Sequence, residues 1–571
     1  MKSQFNILLA AWCMIFMLSC DDAFLDTYPK HGVGSAQMWT TAEHAEKGVI
    51  TLYVSIKDNA IFNIPCQDNY TDMAMLLNKG STFDGNGNYQ LSYNTATANS
   101  GMFSAKWERL YRGVAKSNDA IAYLPGIDMD EKRRAELLAE AKFCRALFYF
   151  ELLSFYSGHD ARDLGVPVYL ERPNYEEAYF PRSKPAVVRR QMIQDLTEAI
   201  PDLPFKSTVR GRVNQAAARM LLGKVYLYAG DYDKAANVFS AVIQDNTKEG
   251  TYKLHEDYYM LFQLDGSSSN DEFILLCDNI HESGYGTSYN MMMGNRSQGN
   301  QTASATIGMP VFIDSYQLKT GAPFDWSAWG VDLSLTGTAL RDNQNAFWND
   351  RAKVNAMFAA RDPRLDASFI RPWSFFVGFV TGTGDVTYEY CPSTFTGAVT
   401  EGMRRMNSDG DDGFMWRKFV ATSNQALIRQ NSPIDLPIMR YADLLLLFAE
   451  ARNEASGPVD SVYWAINQVR QRPTVGMSEL SGMNQSQMRQ AIRDERGWEL
   501  SAEGHRYADY RRWYKYDPSF DIERMNGPVT GFNRYNVRAN RAFTERCWQY
   551  AIPQGEIQLN PYLRQNPGWE Y

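Results

Sequence analysis

PIMRYADLLLLFAEARNEA, residues 437–455, is the stretch that decides the fold. Arg440 to Ala455 reads as a helix with Tyr441, Leu444, Leu445 and Phe448 on one face, at three-and-four spacing. Gly457-Pro458 stops that helix, because glycine accepts the left-handed cap and proline cannot continue the ladder. Asp460 or Ser461 then caps a second helix through Ala465, Ile466 and Val469, and Pro473 halts it. A further helix is expected from about Gln485 to Trp513.

The same pattern governs the N-terminal half. From Trp107, apolar residues recur at Leu110, Tyr111, Val114, Ile121 and Leu124, with Asn118 on the stripe. A buried Asn must find partners, so backbone bonds are expected for it. AEAKFCRALFYFELLSFYSG, residues 139–158, is apolar on most sides and reads as a central, buried helix. In residues 215–244, Leu222, Gly223, Tyr226, Gly230, Tyr232, Ala235 and Phe239 fall at the spacing of a tetratricopeptide helix pair, with Arg219 where a Trp is usual. Residues 264–310 and 320–435 show few helical periods and read as long loops with some short strands, such as Val386 to Tyr390. Loops of that length in a packed protein point to function.

At the N-terminus, Lys2 precedes an apolar run from Ile7 to Leu18 that is too short to span a bilayer but suits a signal peptide. The run ends at Ser19-Cys20, which resembles a lipobox, although Met17 holds a site usually given to Leu. Lipidation of Cys20 would tether the chain to a membrane. The net charge of −8 argues against a nucleic-acid partner, which would need a basic face. Beyond Cys20 stand Cys66, Cys144, Cys277, Cys391 and Cys547, without metal spacing, and they read as buried thiols.

No residue pattern calls for catalysis. The six histidines form no close pair, and no nucleophile elbow or phosphate loop occurs. Asp409 to Gly413 resembles half a calcium loop, but Val420 stands where the closing Glu would be. Asp84 to Asn88 reads as turns. Glu495, Glu499 and Glu503 would share one helix face, and Arg489, Arg493, Arg496 and Arg506 are expected to neutralise them as structure. No metal and no cofactor are expected.

These blocks together resemble the SusD/RagB family of outer-membrane nutrient-binding lipoproteins. The resemblance runs through Phe24-Leu25-Asp26-Thr27 with Pro29, then Trp107 to Asn118, residues 139–158 and Gly165-Val166-Pro167. It continues through Asp362-Pro363-Arg364-Leu365, residues 437–455, Glu495 to Trp513, and Ala551-Ile552-Pro553 to Gly568. Asp21-Asp22, directly after Cys20, is similar to the surface-export signal of Bacteroidetes lipoproteins. The resemblance implies an all-α dominated, single compact SusD-like fold with tetratricopeptide-like repeats, minor short strands and a loop-rich ligand face. It implies a signal peptide over 1–19 and one unit over 20–571, with an N-terminal part over about 20–225 and a C-terminal part over about 270–571. It also implies a non-enzymatic, lipid-anchored protein facing the cell exterior, a glycan ligand, and a SusC-like TonB-dependent transporter as partner. A peptide cargo or a helical-repeat interaction scaffold is the alternative.

Family ligand sites lie in loops before the first signature helix and in the middle of the chain. The matching regions hold Asp68, Asp72, Phe83, Tyr89 and Tyr93, then Trp326, Trp329 and Trp348. Trp326 and Trp329 sit in a polar, turn-prone setting, so this pair is expected to be exposed as a stacking platform. Asp72, Tyr89, Tyr93 and Trp348 complete the expected ligand set. Trp107 and Trp498 are expected in the core.

Overall fold

The computed structural model describes residues 38–570 apart from 59–60, 62–66, 77–87, 159–162, 174–177, 296–305, 407–411, 429, 518 and 521. Cys20 and the expected signal peptide lie outside the described residues, as do Cys66, Phe83, Asp84 to Gly87, and Asp409 to Asp411. Helices of nine residues or more are α1 (Ala42–Ile56), α2 (Gly101–Tyr123), α3 (Glu131–Tyr156), α4 (Pro185–Ala199), α5 (Gln215–Leu227), α6 (Tyr232–Glu249), α7 (Gly337–Asn349), α8 (Arg351–Ala359), α9 (Tyr441–Ser456), α10 (Asp460–Arg470), α11 (Gln485–Glu499) and α12 (Arg506–Tyr516). Among the described residues no helix is long and apolar enough to cross a membrane.

α3 packs against α2 and α4 and is buried on almost every side from Phe143 onward. Asp130 caps its first turn by accepting the Arg133 N–H at 2.8 Å. Its last carbonyls find distant donors: Arg182 and Asn566 both reach Tyr156 O at 2.8 Å, and Arg511 reaches Ser154 O and Ser157 O. Cations at a helix C-terminus satisfy orphan carbonyls and suit the dipole. Mid-helix Arg145 is neutralised by Asp195 at 2.6 Å and donates to Asn118 at 2.9 Å. Asn118 in turn donates to Tyr169 O at 3.0 Å, so the buried amide has its expected backbone partner.

α5 and α6 form a helical hairpin turned at Gly230. A Cβ on Gly223 would sit 2.3 Å from the Phe239 ring, so only glycine lets the two helices approach. α9 packs on α6, α10 and α11 and is buried on all faces from Ala442 to Ala451.

Eleven short strands among the described residues serve the helices. β1 (Ala74–Leu76), β3 (Thr306–Gly308), β8 (Phe414–Trp416) and β4 (Phe369–Ile370) form one antiparallel sheet in that order. β2 (Phe273–Cys277) pairs with β9 (Leu436–Arg440), and β10 (Gly527–Thr530) with β11 (Val537–Arg541). β5 (Ser374–Val380) and β6 (Gly384–Pro392) make a hairpin that β7 (Met403–Met406) extends in parallel.

Three expectations are corrected. Residues 437–440 are strand, and the helix begins only at Tyr441. The stretch 320–435 contains α7 and α8, each too short to repeat its buried apolar positions, Phe347 and Trp348 in one and Val354, Met357 and Phe358 in the other, over several turns. The helix expected from Gln485 to Trp513 is two: Ala502 and Gly504 adopt left-handed backbone at φ 60° and 74°, which no α-helix accommodates, and the chain turns there into α12.

Candidate functional site

The acidic row turns out to be architecture. Glu495 and Glu499 end α11, while Glu503 lies in the turn beyond it. Their partners are not the expected arginines. Arg364 holds Glu495 at 2.6 Å and Glu499 at 3.0 Å; Arg470 takes Glu495 at 2.9 Å; Arg472 takes Glu499 at 2.7 Å. Arg440 binds Glu499 at 2.8 Å and Glu503 at 2.7 Å, and Lys418 adds a contact to Glu503 at 2.7 Å. Glu272 and Asp362 complete the network, which sets five cations against five carboxylates, all with side chains at most 2% exposed. The expected partners point elsewhere: Arg489 to Glu454, Arg493 to Asp517, Arg496 to Asp443, and Arg506 to Asp72. Burial alone would raise the Glu499 pKa, but Arg472, Arg440 and Arg364 hold it well below the usual carboxylate range. Closed off from solvent and bonded on every side, these carboxylates have no path to a substrate.

Asp68 sits beside this network as its exception. Gly504 N–H reaches Oδ2 at 3.3 Å, and Oδ1 has no partner among the described residues. Burial pushes its carboxyl up to about 8, against the pull of Arg506 and Lys418. The folded chain therefore holds a proton there that an unfolded Asp releases near about 3.9. Between roughly pH 4 and 8 the folded state binds more protons, so this group makes stability fall as pH rises. Thermal midpoints measured across that window should drop more steeply for the wild type than for Asp68→Asn; parallel curves would refute the assignment.

The expected ligand residues scatter. Asp72 is fully buried, bonded to Arg506 at 2.9 Å and Arg524 at 3.3 Å, and accepts the Tyr510 hydroxyl at 2.6 Å. Burial raises its pKa, but Arg506 and Arg524 overcome that and bring it to about 2. It staples the segment before β1 to α12 and is not placed for a ligand. Trp348 is 1% exposed and belongs to the core. Trp326, at 9%, packs edge-on against Phe324, Phe347 and Trp348 with centroids 5.1–5.6 Å away, so the exposed pair is corrected as well. The cause is α7, which offers Phe347 and Trp348 at its end and draws the turn down onto them. Trp329, in the 3-10 turn Ser327–Trp329, and Tyr93, whose hydroxyl Arg541 holds, remain half-buried. Tyr89 lies in the turn Asn88–Leu91, and its side chain is outside what is described. Trp107 and Trp498 are in the core, as expected.

A different set of aromatics lines a surface cleft of about 610 Å³. Tyr259 lines it together with Trp373, just before β5, and Phe375 at the start of that strand. Strand alternation does the sorting: Phe376 turns inward at 1% exposure and Phe375 outward at 54%. Trp373 has φ 63°, a costly conformation for a bulky residue, worth about 1–3 kcal/mol. It is held there by its N–H to Tyr390 O at 2.5 Å, its Nε1 to Trp348 O at 2.8 Å, and Phe395 edge-on at 4.9 Å. Trp348 thus acts beneath the cleft instead of in it. Polar groups border the rings: Arg371 donates to Asp366 at 2.7 Å and to Asn355 at 2.6 Å, and Asp257, Arg417 and Thr474 close the rim. Sequence reasoning passed over these residues, although Phe375-Phe376 directly after Pro372-Trp373-Ser374 is an alternating aromatic strand signal. Among the described residues no cluster of metal-ligating side chains occurs.

Comparison with known proteins fits this architecture. A family model described as starch-binding associating with outer membrane matches residues 24–227. SusD-like protein P25 of Formosa agariphila is 24% identical over 99% of this chain and 98% of its own. A SusD-like protein of Bacteroides ovatus is 23% identical over 93% and 86%. Among solved structures, a SusD-like carbohydrate binding protein from Bacteroides fragilis superposes with TM-score 0.74 at 22% identity, covering 92% of this chain and 100% of that one. A laminarin binding SusD-like protein gives 0.64 at 22% identity, covering 93% and 100%. The model of the SusD family itself matches residues 271–569, more than half of the sequence, and the chain belongs to that family.

Proposed function

We propose that this protein is a non-catalytic capture protein of the outer-membrane surface. Anchored by lipid at Cys20, it binds a polysaccharide or oligosaccharide and delivers it to a SusC-like TonB-dependent transporter. The observation that carries this reading is the lining of the Tyr259–Trp373–Phe375 cleft. A sugar ring has apolar C–H faces and hydroxyl edges, so its binder needs aromatic faces beside fixed polar groups. Phe375 supplies an exposed ring and Tyr259 a half-buried one, while Arg371, Asp366 and Asn355 are locked together beside them. A cleft of this volume is within the common range of ligand sites, about 300–1,000 Å³. The family description over 24–227 supports both a glycan ligand and the outer membrane, and the laminarin-binding relative supports the ligand class. Full ion pairing of the acidic row supports binding without catalysis.

Affinity gel electrophoresis of the soluble chain from Asp21 onward, across plant, host and microbial polysaccharides, tests the proposal. Each aromatic face contributes on the order of 1 kcal/mol, so Tyr259→Ala/Phe375→Ala should weaken retention by at least about tenfold without moving the thermal midpoint. Trp329→Ala serves as the second arm. Loss of retention there alone would move the site to the 324–329 turn, and no retention of the wild type by any polysaccharide would sink glycan capture.

A further inference from the structure

We infer that the cleft selects glycans bearing an anionic substituent, a carboxylate or a sulfate ester, through Arg417; this rests on the glycan reading above. The cleft holds three arginines, and two are spent. Arg364 faces inward, ion-paired to Asp362, Glu495 and Glu499. Arg371 is clamped to Asp366 through two bonds, at 2.7 and 3.1 Å. Arg417, directly after β8, is different. Among the described residues no carboxylate forms an ion pair with it. Its Nη2 donates to the Phe375 carbonyl at 2.8 Å, and its Nε is shielded from water without a partner. Its guanidinium lies 5.9 Å from the ring centroids of both Tyr259 and Phe376.

Neither acid of the cleft forms an ion pair with it, although Asp366 attracts it. Asp366 is held by Arg371, and one oxygen of Asp257 accepts the N–H groups of Tyr259 and Met260 at 2.8 and 3.1 Å. The charge left without an ion pair among the described residues is therefore a planar fork that also bonds the Phe375 carbonyl and the Tyr259 side chain at the wall of the cleft. A sugar stacked on Phe375 or Tyr259 would bring a carboxylate or sulfate at its edge toward that fork, the geometry in which guanidinium binds oxyanions. With a net charge of −8, the chain as a whole repels polyanions, so a preference for them must arise locally.

The test uses the soluble full chain in gels containing neutral probes (starch, laminarin, xylan) or anionic ones. Polygalacturonate and its methyl ester form the carboxylate arm, and carrageenan and its desulfated form the sulfate arm. At least one anionic polymer should retain the wild type about tenfold or more strongly than its neutralised counterpart. Arg417→Gln should erase that difference with an unchanged thermal midpoint, and Arg417→Lys, which keeps charge but loses the fork, should fall between. Added salt should weaken the anionic retention alone. Retention by neutral polymers only, lost in Tyr259→Ala/Phe375→Ala, would overturn the inference and leave glycan capture standing. An anionic preference that survives Arg417→Gln would also overturn it, and retention by no polymer would bring down both.

Discussion

Glu499→Ala is expected to lower stability by about 3–5 kcal/mol, among the largest losses any single substitution in this chain should cause. The carboxylate takes Arg472 at 2.7 Å, Arg440 at 2.8 Å and Arg364 at 3.0 Å, all out of contact with water. Removing it leaves five cations against four carboxylates, one positive charge in excess in a site closed to water. Breaking one buried pair costs about 3–5 kcal/mol, and native stability is about 5–15 kcal/mol in total. One uncompensated buried charge therefore costs a large share of that stability, even though each arginine keeps another carboxylate. The measurement is the soluble yield and the circular-dichroism melt of the variant beside wild type. Glu499→Gln keeps the shape and one acceptor oxygen but loses the charge and turns an N–H donor toward an arginine, so it should fall between the two. A Glu499→Ala protein melting within a few degrees of wild type would show that the network relaxes far more easily than its packing implies.

Trp348→Ala should be the most damaging change among the residues expected to meet ligand. Its ring packs on Phe532 at 5.0 Å, Phe347 at 5.1 Å and Trp326 at 5.6 Å, and its carbonyl holds the Trp373 indole. Truncating a buried Trp to Ala costs about 3–5 kcal/mol from lost transfer energy and the cavity left behind. Denaturant unfolding should show a loss of that size, with any loss of glycan retention following the loss of the ring packing, because the backbone carbonyl that holds the Trp373 indole remains. Trp329→Ala, half-buried in its turn, should stay within about 0.5–1 kcal/mol of wild type. The opposite result, unchanged unfolding with retention gone, would return Trp348 to the ligand surface.

The helical scaffold was legible because burial leaves a periodic trace. Leu444, Leu445 and Phe448, or Phe143 to Phe155, can be read as core from spacing alone. α7 was not legible, because its buried positions, Gln344, Phe347 and Trp348, span little more than one turn within a polar, turn-rich stretch. That omission displaced the site: without α7, Trp326 and Trp348 looked like loop residues. Asp72 misled for a related reason. An acid in a loop reads as exposed until its partners, Arg506 and Arg524, are known to lie more than four hundred residues away in sequence.

Sequence by itself determined the helical class, the helical hairpins, the core tryptophans Trp107 and Trp498, and the structural character of Glu495, Glu499 and Glu503. Each follows from local periodicity or from the electrostatic need to neutralise clustered charge, and both are written in residue type and spacing. Tertiary structure alone decided which cations neutralise the glutamates, which aromatics are buried, and that Tyr259, Trp373, Phe375 and Arg417 share one cleft. Those residues come from segments far apart in the chain. Whether a ring faces solvent or core depends on what packs over it, a long-range property that no local spacing encodes.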